Sequence, residues 1–294
     1  MSADIVVIAN KWWEAAPLVE VLRHSAATPP SFTQLATFAP GGLATPQSCD
    51  PAGLPWLRLR VGRAAVDVWC LQALMDPRVN GSLTSEKARV LPKVFEWESR
   101  AKLVIAFGTA ADAQQSKRNG TTAVGSSVFV HNPYAGKPEP ADQWNPPHPD
   151  TVVESPAAAL IAGTGTDWHA QVTARTLVPP NDGAPRPDVV VDPAQVSVGV
   201  VNVTDYKDYD WTDQEALDRF AAVAPGAPAG SLETTHGVIR AASDVPFLYV
   251  SGYTNGVGLY QQQTAANPYS QNFVAAHNAG VSLAWLLDGL AGKL

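Results

Sequence analysis

Five apolar runs in this chain end in polar side chains that could do chemistry. Glu14 follows Ile5–Ala9, Thr109 follows Leu103–Phe107, and His131 with Asn132 follows the run at Val128. Asp205 with Tyr206 follows Val196–Val203, and Thr254 with Asn255 follows Phe247–Val250. Carboxylates accept hydrogen bonds from hydroxyls, amides both donate and accept, and aromatic rings cover flat surfaces. Together in an apolar cleft, such groups suit a ligand that contains a sugar. Singly, each also serves as a helix cap or a loop residue.

Stronger local motifs are missing. The six histidines form no His-Glu-x-x-His pair and no zinc-ligand spacing, and the two cysteines, Cys49 and Cys70, form no metal motif or disulfide framework. No Gly-x-Ser-x-Gly elbow occurs, and Gly163-Thr164-Gly165-Thr166 lacks the strand and third glycine of a dinucleotide loop, so it reads as a loop. No metal and no cofactor is implied.

The elements that position these residues alternate along the chain. Ile5–Ala9 and Leu103–Phe107 are short, all-apolar and rich in β-branched residues, as strands covered on both faces are. A helix is predicted from Trp13 to Arg23, with Pro17 either starting it near Ala16 or splitting off its first turn. Trp56–Arg60 and Ala64–Cys70 read as a hairpin about Val61-Gly62-Arg63, and a helical pattern over Ser85–Ser99 is interrupted by Pro92. Helices are also predicted near 155–162, over 213–222, over 233–242 and over 272–290. Phe273, Ala276, Gly280, Leu283 and Leu287 share one face of the last. This alternation predicts an α/β fold, a single domain over 1–294 whose central mixed, partly parallel sheet is flanked by helices. Segments 25–55 and 133–150, the second with six prolines, read as insertions.

Composition sets the outer bounds. The 294 residues carry 20 Lys and Arg against 27 Asp and Glu, a formal charge of −7, and 46% are hydrophobic. That is a globular composition without the basic clusters of a nucleic-acid or anionic-membrane partner. No apolar stretch reaches membrane-spanning length and the first residues lack a basic leader, so a cytoplasmic location is expected.

Several short blocks resemble the nucleoside phosphorylase and nucleosidase superfamily, and within it the purine-type nucleosidases. They are Val7-Ile8-Ala9-Asn10-Lys11-Trp12-Trp13-Glu14, Val104-Ile105-Ala106-Phe107-Gly108-Thr109-Ala110-Ala111, Gly125–His131, and Ser231-Leu232-Glu233-Thr234-Thr235 with Val245–Asn255. The resemblance implies a nucleoside-phosphorylase-like fold that cleaves an N-glycosidic bond. It casts Glu14 as the base that activates water and Glu233 as the grip on the ribose hydroxyls. Leu232 would form the floor beneath the sugar, and Gly108 with Thr109 the turn beside it. Thr204-Asp205-Tyr206 would carry the aromatic that covers the base, Tyr206 first and Tyr209 as its substitute. Thr254 and Asn255 fall where the family has Ser-Asp. Asn255 can hydrogen-bond a base but cannot donate a proton as an acid does. Some relatives that cleave 6-oxopurine nucleosides share this asparagine. No Gly-rich loop with an arginine follows the first strand, so the resemblance favours hydrolysis over phosphorolysis. A nucleoside phosphorylase and a non-catalytic nucleoside-binding protein remain the alternatives, and assembly as a dimer or hexamer is implied by resemblance alone.

Overall fold

A computed structural model describes residues 2–24, 32–37, 55–76, 78, 84–114, 118–132, 144–164, 168–178, 187–191, 194–198, 206–264 and 268–294, with backbone alone at 32–37, 194–198, 206–212 and 268–270. Chain order is β1 (Ile5–Ala9), α1 (Trp12–Arg23), β2 (Phe32–Thr37), β3 (Leu57–Val61), β4 (Ala64–Cys70), α2 (Leu71–Leu74), α3 (Thr84–Trp97), β5 (Leu103–Asp112), β6 (Thr122–Gly125), β7 (Val128–His131) and β8 (Thr151–Val153). It continues with α4 (Ala158–Thr164), α5 (Trp168–Thr173), β9 (Val189–Val191), β10 (Ala194–Val198), α6 (Tyr206–Val223), β11 (Ala229–Glu233), α7 (His236–Ala241), β12 (Phe247–Gly256), α8 (Tyr260–Gln263) and α9 (Pro268–Ala291).

Among the described residues these strands form one twelve-stranded sheet. β1 runs parallel to β4 on one side and β5 on the other, and β5 runs parallel to β12. Antiparallel pairs sit at β2–β3, β3–β4, β6–β12, β7–β8 and β5–β11, so the sheet is mixed and partly parallel as expected. The hairpin between β3 and β4 turns at Gly62, whose φ of 56° is easy for glycine.

Helices cover both faces, and that explains why β1 has no polar position. Ile5, Val7 and Ala9 join a cluster with Leu18, Val19 and Leu22 of α1 and Leu283 and Leu287 of α9. Val6 and Ile8 face the opposite cluster, with Val90, Leu91 and Val94 of α3 and Ile239 of α7. Each such side chain contributes about 1.5–3 kcal/mol on burial. α1 and α9 approach closely because Gly280 has no side chain: a Cβ there would stand 3.4 Å from the Leu18 Cα.

Several expected boundaries are corrected. α1 begins at Trp12 and runs unbroken through Pro17, and α3 runs through Pro92. Each proline removes one intrahelical hydrogen bond, but burial of the flanking apolar stripe outweighs that local loss. Glu233 closes strand β11 instead of opening a helix, and α7 starts three residues later. β5 and β12 extend well past the ends of their apolar runs at Phe107 and Val250, to Asp112 and Gly256. Phe273 is 46% exposed, although Ala276, Gly280, Leu283 and Leu287 on the same helix are buried. Most of the two expected insertions, 25–31, 38–54 and 133–143, lies outside the described residues, as do Cys49 and Asp205. No helix among the described residues is long and apolar enough to cross a membrane.

Candidate functional site

Unequal strand lengths open the site. β1 is five residues long and β5 is ten, so β5 loses its β1 partner after Phe107 while β12 continues beside it to Asp112. The space beyond the carboxyl end of β1 is bounded by the start of α1, by the upper half of β5 and β12, and by the end of β11. It is a cavity of about 400 Å³, lined by Lys11, Glu14, Thr109, Leu232, Glu233 and Asn255 among others. A cavity at strand carboxyl ends in an α/β sheet is the usual ground for a small-molecule site.

Glu14 is brought there by the first turn of α1. Its Oε2 accepts the Lys11 backbone N–H at 2.9 Å, which caps the helix. Its Oε1 accepts the Thr109 backbone N–H at 2.8 Å and the Thr109 hydroxyl at 3.0 Å, which ties α1 to β5. Burial pushes the carboxyl's proton affinity up, and the hydrogen bonds from Lys11 and Thr109 and the nearby His236 only partly oppose it. A raised carboxyl suits a base that takes a proton near neutral pH. Gly108 makes room for this arrangement, since a Cβ there would lie 2.9 Å from Glu14 Oε1.

Glu233 divides its labour between its two oxygens. Oε2 accepts the backbone N–H groups of Thr235 and His236, the latter at 2.7 Å, and so holds the turn into α7. Oε1 is buried without a hydrogen-bond partner among the described residues and belongs to a side chain that lines the cavity. A buried carboxylate oxygen with unused lone pairs is costly unless something else supplies donors. The hydroxyls of a sugar are such donors.

Beside it, Leu232 is buried against Phe129, Phe220 and Val257 and presents an apolar wall to the cavity. Thr254 and Asn255 lie in the upper part of β12. Asn255 Oδ1 accepts the Thr254 hydroxyl at 2.6 Å, and Nδ2 donates to the Gly256 carbonyl at 2.8 Å. These bonds orient the amide and leave it one N–H and one lone pair for a ligand. The Thr254 carbonyl is fixed from behind by Gln271 Nε2 at 2.7 Å and the Thr264 hydroxyl at 3.1 Å.

The structure thus gathers Glu14, Thr109, Leu232, Glu233, Thr254 and Asn255 around one cavity, with Gly108 packed beneath Glu14. His131 and Asn132 do not line it: His131 Nδ1 pairs with Asp150 at 2.6 Å, and the Asn132 amide donates to the Trp144 carbonyl. Asp205 lies outside the described residues, and Tyr206 and Tyr209 are placed only as backbone in α6.

His236 and Lys87 are among the lining residues that sequence reasoning passed over. His236 stands three positions after Glu233, directly after the block Ser231–Thr235. Lys87 sits on the apolar stripe of α3 with Val90, Leu91 and Val94, and a lysine at a core position of a helix is a signal in itself. Its Nζ donates to the Thr235 hydroxyl at 2.9 Å and the Thr234 carbonyl at 3.2 Å, which steadies the turn that holds Glu233. Cys70, at the end of β4, has its thiol pushed up to about 12 by burial and stays unreactive. Among the described residues no group of three or more His, Cys, Asp or Glu side chains could hold a metal ion.

No family model matches the sequence, and no curated protein matches it. Solved structures do match. An MTA/SAH nucleosidase superposes with a TM-score of 0.54 at 15% identity, over 100% of this chain and 98% of its own. Its fold is that of the nucleosidases. The 5'-methylthioadenosine/S-adenosyl homocysteine nucleosidase of Campylobacter jejuni gives a TM-score of 0.52 at 10% identity, over the whole of both chains. A futalosine hydrolase mutant from Helicobacter pylori gives 0.52 at 10%, over 99% of each. The nucleosidase likeness spans the sheet and its flanking helices, and at these identities it speaks for the fold.

Proposed function

We propose that this chain is a nucleosidase that hydrolyses the N-glycosidic bond of a purine-type nucleoside or a related derivative. One observation carries the reading: Glu233, whose side chain lines the cavity that also holds the Glu14 carboxylate, has a buried carboxylate oxygen with no hydrogen-bond partner among the described residues. Bond cleavage builds positive charge on the sugar and negative charge on the departing base. Glu233 would hold the ribose hydroxyls over the Leu232 floor. Glu14 would take a proton from a water molecule that attacks the anomeric carbon. As the carbon–nitrogen bond breaks, its electron pair passes to the base, which Asn255 meets with its remaining N–H and lone pair. Thr254 would support that contact, and Asp205 and Tyr206 are proposed for the base on the family resemblance of their segment. The folds of an MTA/SAH nucleosidase and a futalosine hydrolase support the reaction class. The same reading carries a single domain and assembly as a dimer or hexamer.

The test is release of free base from purified protein, followed chromatographically over a panel of purine nucleosides with and without 5'-thioether substituents. Release without added phosphate, lost in Glu14→Gln, is the expected result. Release that requires phosphate would make the protein a phosphorylase. Binding without release from any substrate would reduce it to a nucleoside-binding protein.

A further inference from the structure

His236 joins the two glutamates. Its backbone N–H donates to Glu233 Oε2 at 2.7 Å, and its side chain turns toward Glu14 across Gly108. A Cβ at Gly108 would lie 2.9 Å from Glu14 Oε1 and 3.3 Å from His236 Nε2. Those two atoms are therefore at most about 6 Å apart, a range in which one charge alters the proton affinity of another. The opposite ring nitrogen, Nδ1, lies 3.4 Å from the Ser251 hydroxyl on β12. His236 is buried and lines the cavity, so bulk water screens its ring little.

We propose that His236 is the positioning residue for Glu14: its ring, held between the Ser251 hydroxyl and the space over Gly108, favours the ionised carboxylate whenever the imidazole carries a proton, and so readies Glu14 to accept a proton from water. The proposal rests on Glu14 being the proton acceptor of the hydrolysis argued above. Other groups face this pair: Lys11 from the start of α1, Cys70 from β4, Thr109 from β5, Glu233 from β11, Lys87 from α3 and Asp213 from α6. Burial pushes the Lys11 ammonium down, against the pull of Glu14, and burial keeps the Cys70 thiol neutral. All of these stay in place when His236 alone is changed, so a comparison isolates the imidazole.

The experiment is an infrared pH titration of the Glu14 carboxyl, taken as the difference between the protein and its Glu14→Gln variant. It is run in wild-type, His236→Gln and Ser251→Ala backgrounds. His236→Gln retains a polar side chain but cannot carry charge. Its Glu14 midpoint is expected to rise by about half to one pH unit, a roughly three- to tenfold tighter hold on the proton. Ser251→Ala, which frees the ring, is expected to shift the midpoint the same way by less. In turnover, the acidic limb of the kcat/KM profile should move up by the same amount in His236→Gln. An unchanged or lowered midpoint in folded His236→Gln overturns the proposal. If that variant does not fold, an unchanged midpoint in Ser251→Ala does so. The titration needs no substrate, so absence of base release would overturn the reaction and still leave the Glu14–His236 coupling to be measured.

Discussion

Replacement of Glu233 separates its two oxygens. Oε2 accepts the N–H groups of Thr235 and His236, and Oε1 is buried without a hydrogen-bond partner among the described residues. Glutamine retains one carbonyl oxygen for the turn, with charge-assisted bonds becoming neutral ones, at about 1 kcal/mol. For a chain this long that lowers Tm by roughly 2–4 °C. On the cavity side glutamine offers an NH₂ where a sugar hydroxyl needs an acceptor. The loss of a hydrogen bond to a charged group, about 1.5–3 kcal/mol, corresponds to a roughly 10- to 150-fold fall in kcat/KM for base release. Alanine removes both functions, leaves two buried N–H groups without partners, and costs at least about 2 kcal/mol of stability in addition. The assay is therefore paired: base release beside thermal melting for wild type, Glu233→Gln and Glu233→Ala. Full turnover in a folded Glu233→Gln would refute the argument, because the carboxylate would then be a turn cap and nothing more.

Gly108→Ala puts a methyl 2.9 Å from Glu14 Oε1, so turnover should fall by an order of magnitude or more while Tm moves only a few degrees, read by the same pair of assays. Gly252→Ala meets backbone instead: its Cβ would stand 2.0 Å from the Ala275 carbonyl of α9. That clash cannot relax by a rotamer change, and melting should show a loss of at least about 3 kcal/mol. On the far side of the sheet, burial and then the neighbouring Asp67 raise Glu98 from an ordinary 4.5 to about 7. The folded state binds this proton more tightly than the unfolded chain, so its stabilisation is complete below pH 4.5 and disappears as pH rises toward 7. Tm should fall across that window, and Glu98→Gln should flatten the fall.

The parallel core was legible because burial on both faces forces unbroken apolar runs, and Ile5–Ala9 and Leu103–Phe107 show that signature without help from neighbours. What the sequence concealed is where tertiary contact overrides local rules. Pro17 and Pro92 argued for breaks in α1 and α3 that packing overrides. Glu233 looked helical because the residues after it are helical, yet parallel pairing with β10 holds it in a strand. Chemical and helix-capping readings of the two glutamates compete only while a carboxylate is treated as one group. Glu14 caps α1 with Oε2 and reaches β5 with Oε1, and Glu233 holds the turn into α7 with Oε2 and leaves Oε1 without a partner among the described residues. In both residues the capping bond fixes the direction of the other oxygen, so the structural role is the means by which a chemical one becomes available. That coupling exists only after β1, β5, β11 and β12 are side by side. Residues such as His236 and Lys87, which act through these glutamates from neighbouring elements, carry their meaning in the fold rather than in any spacing along the chain.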